Sequence, residues 1–166
     1  MRNYKDKILS KAAALKARAE MKASGKAVVF TNGCFDILHC GHVAYLNFAR
    51  EQGDVLILGM NSDASVKRNK GEDRPINCEQ DRAEVLAALE CIDYVVLFDE
   101  DEPAALIEQL LPDVLVKGED WAHYVSGRET VEAAGGRVVL AKMVAGRSTT
   151  GTIEKVLKVY GEKHEH

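Results

Sequence analysis

The residues with the clearest chemical potential lie in one short stretch, Thr31-Asn32-Gly33-Cys34-Phe35-Asp36-Ile37-Leu38-His39-Cys40-Gly41-His42. His39 and His42 are three apart, so at a helix entrance both imidazoles reach one anionic group. Imidazole donates to phosphate oxygens and stabilises charge that develops on them. Gly33 and Gly41 let a ligand approach the backbone where a Cβ would obstruct it. Gly41-His42 also open a helical pattern, whose free N–H groups and positive dipole end suit phosphate. Two other readings compete: histidines that serve structure alone, and a metal set of Cys34, His39, Cys40 and His42. The metal set matches no common zinc spacing and lacks a second ligand pair, so the phosphate site leads.

Three further clusters carry polar chemistry. Asn61-Ser62-Asp63 precedes Lys67, Arg68, Lys70 and Arg74. This is either a solvated charged loop or a source of the cations that a polyphosphate needs. Val116-Lys117-Gly118-Glu119-Asp120-Trp121 contains the single tryptophan, which either stacks on a ligand or packs structurally. Gly146-Arg147-Ser148-Thr149-Thr150 precedes the last helical pattern. Its hydroxyls cap a helix and can also face a phosphate.

The elements that must position these clusters alternate along the chain. A helical pattern over about Lys5 to Ala23 ends at Ser24-Gly25. Ala27 to Phe30, Asp54 to Gly59, Tyr94 to Leu97, Asp113 to Val116 and Arg137 to Leu140 are short apolar runs that read as buried parallel strands. Helical patterns fill the intervals, from about Gly41 to Gln52, Glu79 to Glu90, Pro103 to Leu111, Ser126 to Ala134 and Thr150 to Tyr160. This alternation predicts an α/β doubly wound parallel sheet of about five strands. Ligands in such folds sit at the carboxyl ends of the strands, and every cluster above follows a strand. The expected organisation is an N-terminal helical extension over 1–24, a catalytic domain over 25–161 and a tail over 162–166.

Composition narrows the classes further. The chain has 166 residues, 46% hydrophobic and 29% charged, with a net charge of −4. A general nucleic-acid binder should be basic, so nucleic acid is not an expected partner. No apolar run approaches the ~20 residues of a membrane span, and the polar N-terminus has no signal-like apolar region. A cytoplasmic location with small-molecule partners follows. Cys34, Cys40, Cys78 and Cys91 lack CxxC spacing and are expected to be reduced thiols.

Gly33-Cys34-Phe35-Asp36-Ile37-Leu38-His39-Cys40-Gly41-His42 resembles the HxGH signature of the cytidylyltransferase-like nucleotidyltransferases. Ser148-Thr149-Thr150 resembles the serine-threonine signature that closes over the nucleotide in that family. The resemblance implies a Rossmann-like fold and nucleotidyl transfer from a nucleoside triphosphate with release of pyrophosphate. It implies catalytic roles for His39, His42 and Lys70, with Lys67 the second choice for the mobile lysine. Asn32, Gly33, Cys34, Phe35, Gly41, His42, Lys67, Lys117, Arg147, Ser148, Thr149 and Thr150 are the implied nucleotide-binding set. Asp36, Arg82, Asp120 and Trp121 are implied on the acceptor side, although Asp81-Arg82 is also read as a surface helix salt bridge.

Within the family, the sequence from about Val28 to Lys158 looks most like the adenylyltransferases of ADP-heptose synthesis. The likeness runs through Asn61-Ser62-Asp63-Ala64-Ser65-Val66-Lys67-Arg68, Arg74-Pro75-Ile76, Leu111-Pro112-Asp113 and Leu115-Val116-Lys117-Gly118. It implies ATP as substrate, Mg²⁺ held mainly by the triphosphate, a heptose 1-phosphate acceptor, a homodimer, and a stand-alone form with a separate sugar kinase. No protein-bound metal is expected. Glu119 stands where a second glycine is expected and Trp121 where a tyrosine is. Met143 replaces the arginine of glycerol-3-phosphate cytidylyltransferases, which together with FMN adenylyltransferases are the alternative.

Overall fold

The computed structural model describes residues 3–161; the expected tail at 162–166 lies outside them. Six parallel strands form one sheet in the order β1-β4-β3-β2-β5-β6. They are β1 (Ile8–Leu9), β2 (Val28–Gly33), β3 (Val55–Asn61), β4 (Tyr94–Phe98), β5 (Val114–Gly118) and β6 (Arg137–Ala141). The helices are α1 (Lys11–Ala23), α2 (Cys40–Arg50), α3 (Asp63–Lys70), α4 (Glu79–Ala87), α5 (Ala104–Leu110), α6 (Arg128–Ala133) and α7 (Thr149–Tyr160).

The strands are apolar on both faces because both faces are covered, and successive side chains alternate between two cores. Val29, Leu56, Leu58 and Met60 pack with Leu46 and Ala49 of α2 and with Ala83, Leu86 and Ala87 of α4. Val28, Phe30, Val55 and Ile57 pack on the other side with Ala14 and Met21 of α1, Leu106, Ile107 and Leu110 of α5, and Val131 of α6. Fully burying each of the valine, leucine, isoleucine, phenylalanine and methionine side chains among these stabilises by roughly 1.5–3 kcal/mol. This is the doubly wound α/β architecture that the alternation predicts.

Two differences from the sequence reading have physical causes. The helical pattern from Lys5 begins instead as a 3-10 turn, Tyr4–Lys7, followed by the two-residue strand β1. Ile8 and Leu9 pair with Val95 and Val96, so the sheet has six strands rather than about five. Lys7 Nζ pins this segment by donating to the carbonyls of Leu89 (3.1 Å) and Ile92 (2.8 Å). The true helix start is Ser10, whose Oγ accepts from the Ala13 N–H at 3.2 Å, a regular N-cap. The second difference is α3, which occupies most of the charged stretch after β3. Ser62 caps it by accepting from the Ser65 N–H at 3.1 Å, and the lysines cluster in its last turn, where cations suit the dipole.

From β2 the chain winds outward through β3 to β4; from β5 it winds the other way to β6. The switch between β2 and β5 opens a crevice at the strands' carboxyl ends, which is where α/β folds bind ligands. Among the described residues, no helix is long and apolar enough to cross a membrane.

Candidate active site

The histidine loop leaves β2 at Gly33 through a strained turn. Phe35 has φ of 49°, a left-handed conformation that costs a non-glycine residue of order 1–3 kcal/mol and clusters at functional sites. Its ring folds back over Gly33, where an added Cβ would lie 2.8 Å from Cε2. The same ring stands 5.4 Å from that of His42. His39 is the N-cap of α2, and the two histidine rings stack with centroids 3.8 Å apart and planes inclined by 25°.

The His39 backbone N–H donates to His42 Nδ1 at 3.3 Å. That bond requires Nδ1 to be an acceptor, so neutral His42 carries its proton on Nε2. Burial, and secondarily the His39 charge, push the His42 pKa down to about 4. Burial and then Arg147 lower that of His39 as well. Both rings are therefore neutral donors at physiological pH. His39 Nδ1 is buried without a hydrogen-bond partner, and it lies over Gly41, where a Cβ would approach it to 2.9 Å. Gly41 is thus required by the packing of His39.

The opposite wall comes from the start of α7. Ser148 Oγ accepts from the Gly151 N–H at 2.9 Å as the N-cap. Thr149 Oγ1 donates to the Ile37 carbonyl at 3.2 Å and ties this wall to the histidine loop. The floor is the paired ends of β2 and β5. Lys117 Nζ donates to Asn32 Oδ1 at 3.1 Å and sits 5.3 Å from the centroid of Trp121. Burial holds the Lys117 ammonium below its ordinary pKa. Tyr45 OH donates to the Val116 carbonyl at 3.1 Å and lies 2.6 Å from Thr31 Oγ1, which bridges β2 to β5 from α2. Burial pushes that phenol up to about 12, so it remains protonated.

Two contiguous cavities occupy the crevice. The smaller, about 280 Å³, holds His39, Gly41, Asp120, Arg147 and Ser148. The larger, about 500 Å³, holds Lys70 and Thr150. Both are lined by Asn32 to Phe35, His42, Lys117, Trp121 and Thr149. Most of the expected nucleotide-binding residues therefore converge on one crevice. Trp121 is 46% exposed there, with the His123 ring stacked on it at 6.1 Å.

Three expected residues are engaged or placed apart from the rest. Lys67 lies in the last turn of α3 and lines neither cavity, whereas Lys70 does line the larger one. Arg82 was assigned to the acceptor, yet its side chain is fully buried. Its guanidinium donates to the carbonyls of Asn77 (3.0 Å), Cys34 (2.7 Å) and Asn61 (2.9 Å), and to Asp63 Oδ1 (2.7 Å). These bonds consume it as a brace beneath the crevice rather than a hand within it. Asp36 lines the larger cavity, with its carboxyl oxygens engaged within the protein. Its oxygens accept from Arg74 Nε and from the backbone N–H groups of Ile76 and Asn77, all at 2.8 Å, which fixes the loop before α4. Burial opposes its ionisation, but the donors of Asn77, Ile76 and Arg74 outweigh it and hold the carboxyl below its ordinary pKa.

Among the described residues no group of three or more His, Cys, Asp or Glu converges to hold a metal, and all four cysteines are free. Sequence reasoning missed Glu102, Tyr124 and Ser126, which line the larger cavity. Their mutual contacts span 22 and 24 residues, and no short motif signals them.

A switch-point crevice with two neutral histidines at a helix entrance and a serine-threonine cap opposite defines an α/β nucleotidyltransferase. The chain belongs to the cytidylyltransferase-like family, whose model matches residues 30–155. It is 63% identical over 146 residues to the Bifunctional protein HldE of Geobacter sulfurreducens, covering 87% of this chain and 30% of that protein. Against the protein of the same name from Mesorhizobium japonicum the identity is 58% over 154 residues, covering 92% and 31%. The chain thus spans about a third of the length of these curated relatives. Among solved structures it resembles the lipopolysaccharide core biosynthesis protein of Thermoplasma volcanium, with a TM-score of 0.59, 28% identity, and coverage of 72% of this chain and 98% of that one. The pantoate-beta-alanine ligase of Francisella tularensis, with a TM-score of 0.59 and 16% identity over 93% and 77% of the two chains, shares the fold.

Proposed function

We propose that this chain transfers the adenylyl group of ATP to D-glycero-β-D-manno-heptose 1-phosphate, in the synthesis of a lipopolysaccharide core precursor. A phosphate oxygen of the acceptor attacks the α-phosphorus, the bond to the β-phosphate oxygen breaks, and pyrophosphate leaves. The observation that carries the reaction type is the neutral, stacked His39–His42 pair facing Ser148 and Thr149 across the smaller cavity. His42 Nε2–H and the α2 entrance meet the charge developing on the phosphates, a role of preorganised donors. Lys70 and Lys117 supply cationic charge along the crevice, and Trp121 offers a stacking face. Mg²⁺ bound with the triphosphate would neutralise part of its charge, with no residue of the crevice assigned to hold it. No covalent enzyme intermediate is needed, because positioning and electrostatics supply the acceleration. The choice of ATP and heptose is supported by the motif likeness to adenylyltransferases of ADP-heptose synthesis and by the likeness to a lipopolysaccharide core biosynthesis protein.

The test is a matrix of nucleoside triphosphates against phosphorylated acceptors, scored by pyrophosphate release. Turnover is expected with ATP and the heptose phosphate. Turnover with CTP and glycerol 3-phosphate, and none with the proposed pair, would reverse the assignment.

A further inference from the structure

The larger cavity extends past the histidines to a wall on the far side of the sheet. Glu102 stands just before α5, and its Oε2 accepts from Tyr124 Oη–H at 2.8 Å and from Ser126 Oγ–H at 3.1 Å. Both hydroxyls come from the connection between β5 and α6, and all three residues line the cavity. One carboxylate oxygen therefore takes both protein hydroxyls. The other, Oε1, accepts no hydrogen bond from the described residues. The bond to Glu102 raises the Tyr124 phenol above its ordinary pKa, which keeps it a protonated donor.

The remaining charges in this cavity complete a pattern. Lys70 lines the same space and supplies a cation, Arg74 being paired with Asp36 at 2.8 Å; Glu102 supplies the open carboxylate, Asp101 being paired with Arg68 at 2.6 Å. A ligand spanning these two groups needs an anionic end for Lys70 and a neutral end rich in hydroxyls for Glu102. An ionised carboxylate accepts hydroxyl protons well, and it repels any ligand bearing a second anion at that end.

We propose that Glu102, held in place by Tyr124 and Ser126, binds hydroxyls of the acceptor, so that the larger cavity is the acceptor subsite and takes a neutral polyol carrying one phosphate. This rests on nucleotidyl transfer as the reaction of the site. Glu102 is then the specificity residue for the acceptor, distinct from the nucleotide-facing residues of the smaller cavity.

The test is steady-state pyrophosphate release by the full chain carrying Glu102→Gln, with KM measured separately for each substrate. Glu102→Gln replaces a charged acceptor with a neutral amide and should raise the acceptor KM at least about tenfold. The KM for ATP should stay within about twofold of wild type. Tyr124→Phe and Ser126→Ala, which free the carboxylate to swing, should each raise the acceptor KM by about threefold. An unchanged acceptor KM, or an equal rise in both KM values, would overturn the proposal by reducing the cluster to a structural staple. If Glu102→Gln does not fold, the hydroxyl variants decide by the same criterion. Wild-type turnover with a different phosphorylated acceptor in place of the heptose phosphate removes the substrate assignment alone, and Glu102 is then tested on that acceptor. Absence of wild-type turnover with every acceptor overturns both.

Discussion

Replacing His42 with alanine removes three things at once. The first is the Nε2–H donor at the α2 entrance. Loss of one preorganised donor to developing phosphate charge costs about 10²- to 10³-fold in kcat, or roughly 2.7–4 kcal/mol. The second is the acceptor for the His39 N–H, now 3.3 Å from His42 Nδ1; a partly buried donor left unpaired costs about 1 kcal/mol of stability. The third is the ring on which His39 stacks at 3.8 Å, so the remaining histidine loses its orientation. His39→Ala differs, because it deletes a donor yet also removes the unpartnered buried Nδ1. We expect kcat/KM for pyrophosphate release to fall at least ~10²-fold in both variants, with a lowered Tm only in His42→Ala. The pH profile gives an independent check. His42 is neutral down to about pH 4, so the acid limb of kcat/KM for the free enzyme should not break near the ordinary histidine value. A His42→Ala enzyme within about fivefold of wild type, or an acid inflection near 6.5 that His42→Ala abolishes, would refute the neutral-donor role.

Arg82→Met should destabilise the fold by roughly 3–5 kcal/mol, because it strips the donors from three carbonyls and Asp63; chemical denaturation measures this, and an unaltered midpoint with a raised acceptor KM would restore Arg82 to the substrate. Asp36 has a folded pKa below its unfolded one, so its stabilisation is present above the unfolded value and lost as pH falls through the folded value. Asp36→Asn should therefore flatten the acid limb of the stability profile, read by denaturant midpoints across that range. In Gly118→Ala the new Cβ would meet Asp120 Oδ1 at 2.4 Å and Met143 Sδ at 2.8 Å. Both are ends of side chains that can shift, so the fold should hold while a substrate KM rises severalfold; unchanged KM values for both substrates would remove Asp120 and Met143 from substrate binding.

The strands were legible because each is a short run of apolar, mostly β-branched residues buried on both faces. Val28 to Phe30 and Val114 to Val116 need no tertiary information to be read that way. The His39–His42 spacing and the Ser148 cap were equally readable, since both are local features of helix starts. What failed depended on distance in the chain. Ile8-Leu9 is a strand only because Val95 and Val96 lie beside it, and two residues are too few for a period. The signal at Arg82 was present but outweighed: it shares the buried face of α4 with Ala83, Leu86 and Ala87, which places a charge beneath the crevice rather than in it. Asp36 looked free because the groups that occupy it, Arg74 to Asn77, lie about 40 residues away.

The last helix contributes no buried residue, and both cores are closed by residues no later than Ala141. Yet Ser148, Thr149 and Thr150 at its start form a wall of the crevice, tied back to the histidine loop through Ile37. The length of chain required to fold and the length required to work are therefore different. A chain stopped after β6 should keep its sheet and its histidines and lose the Ser148 to Thr150 wall of the crevice. Under the proposed function, nucleotide contacts α7 where the core does not, so added ATP should protect that helix from exchange and proteolysis far more than it protects the sheet.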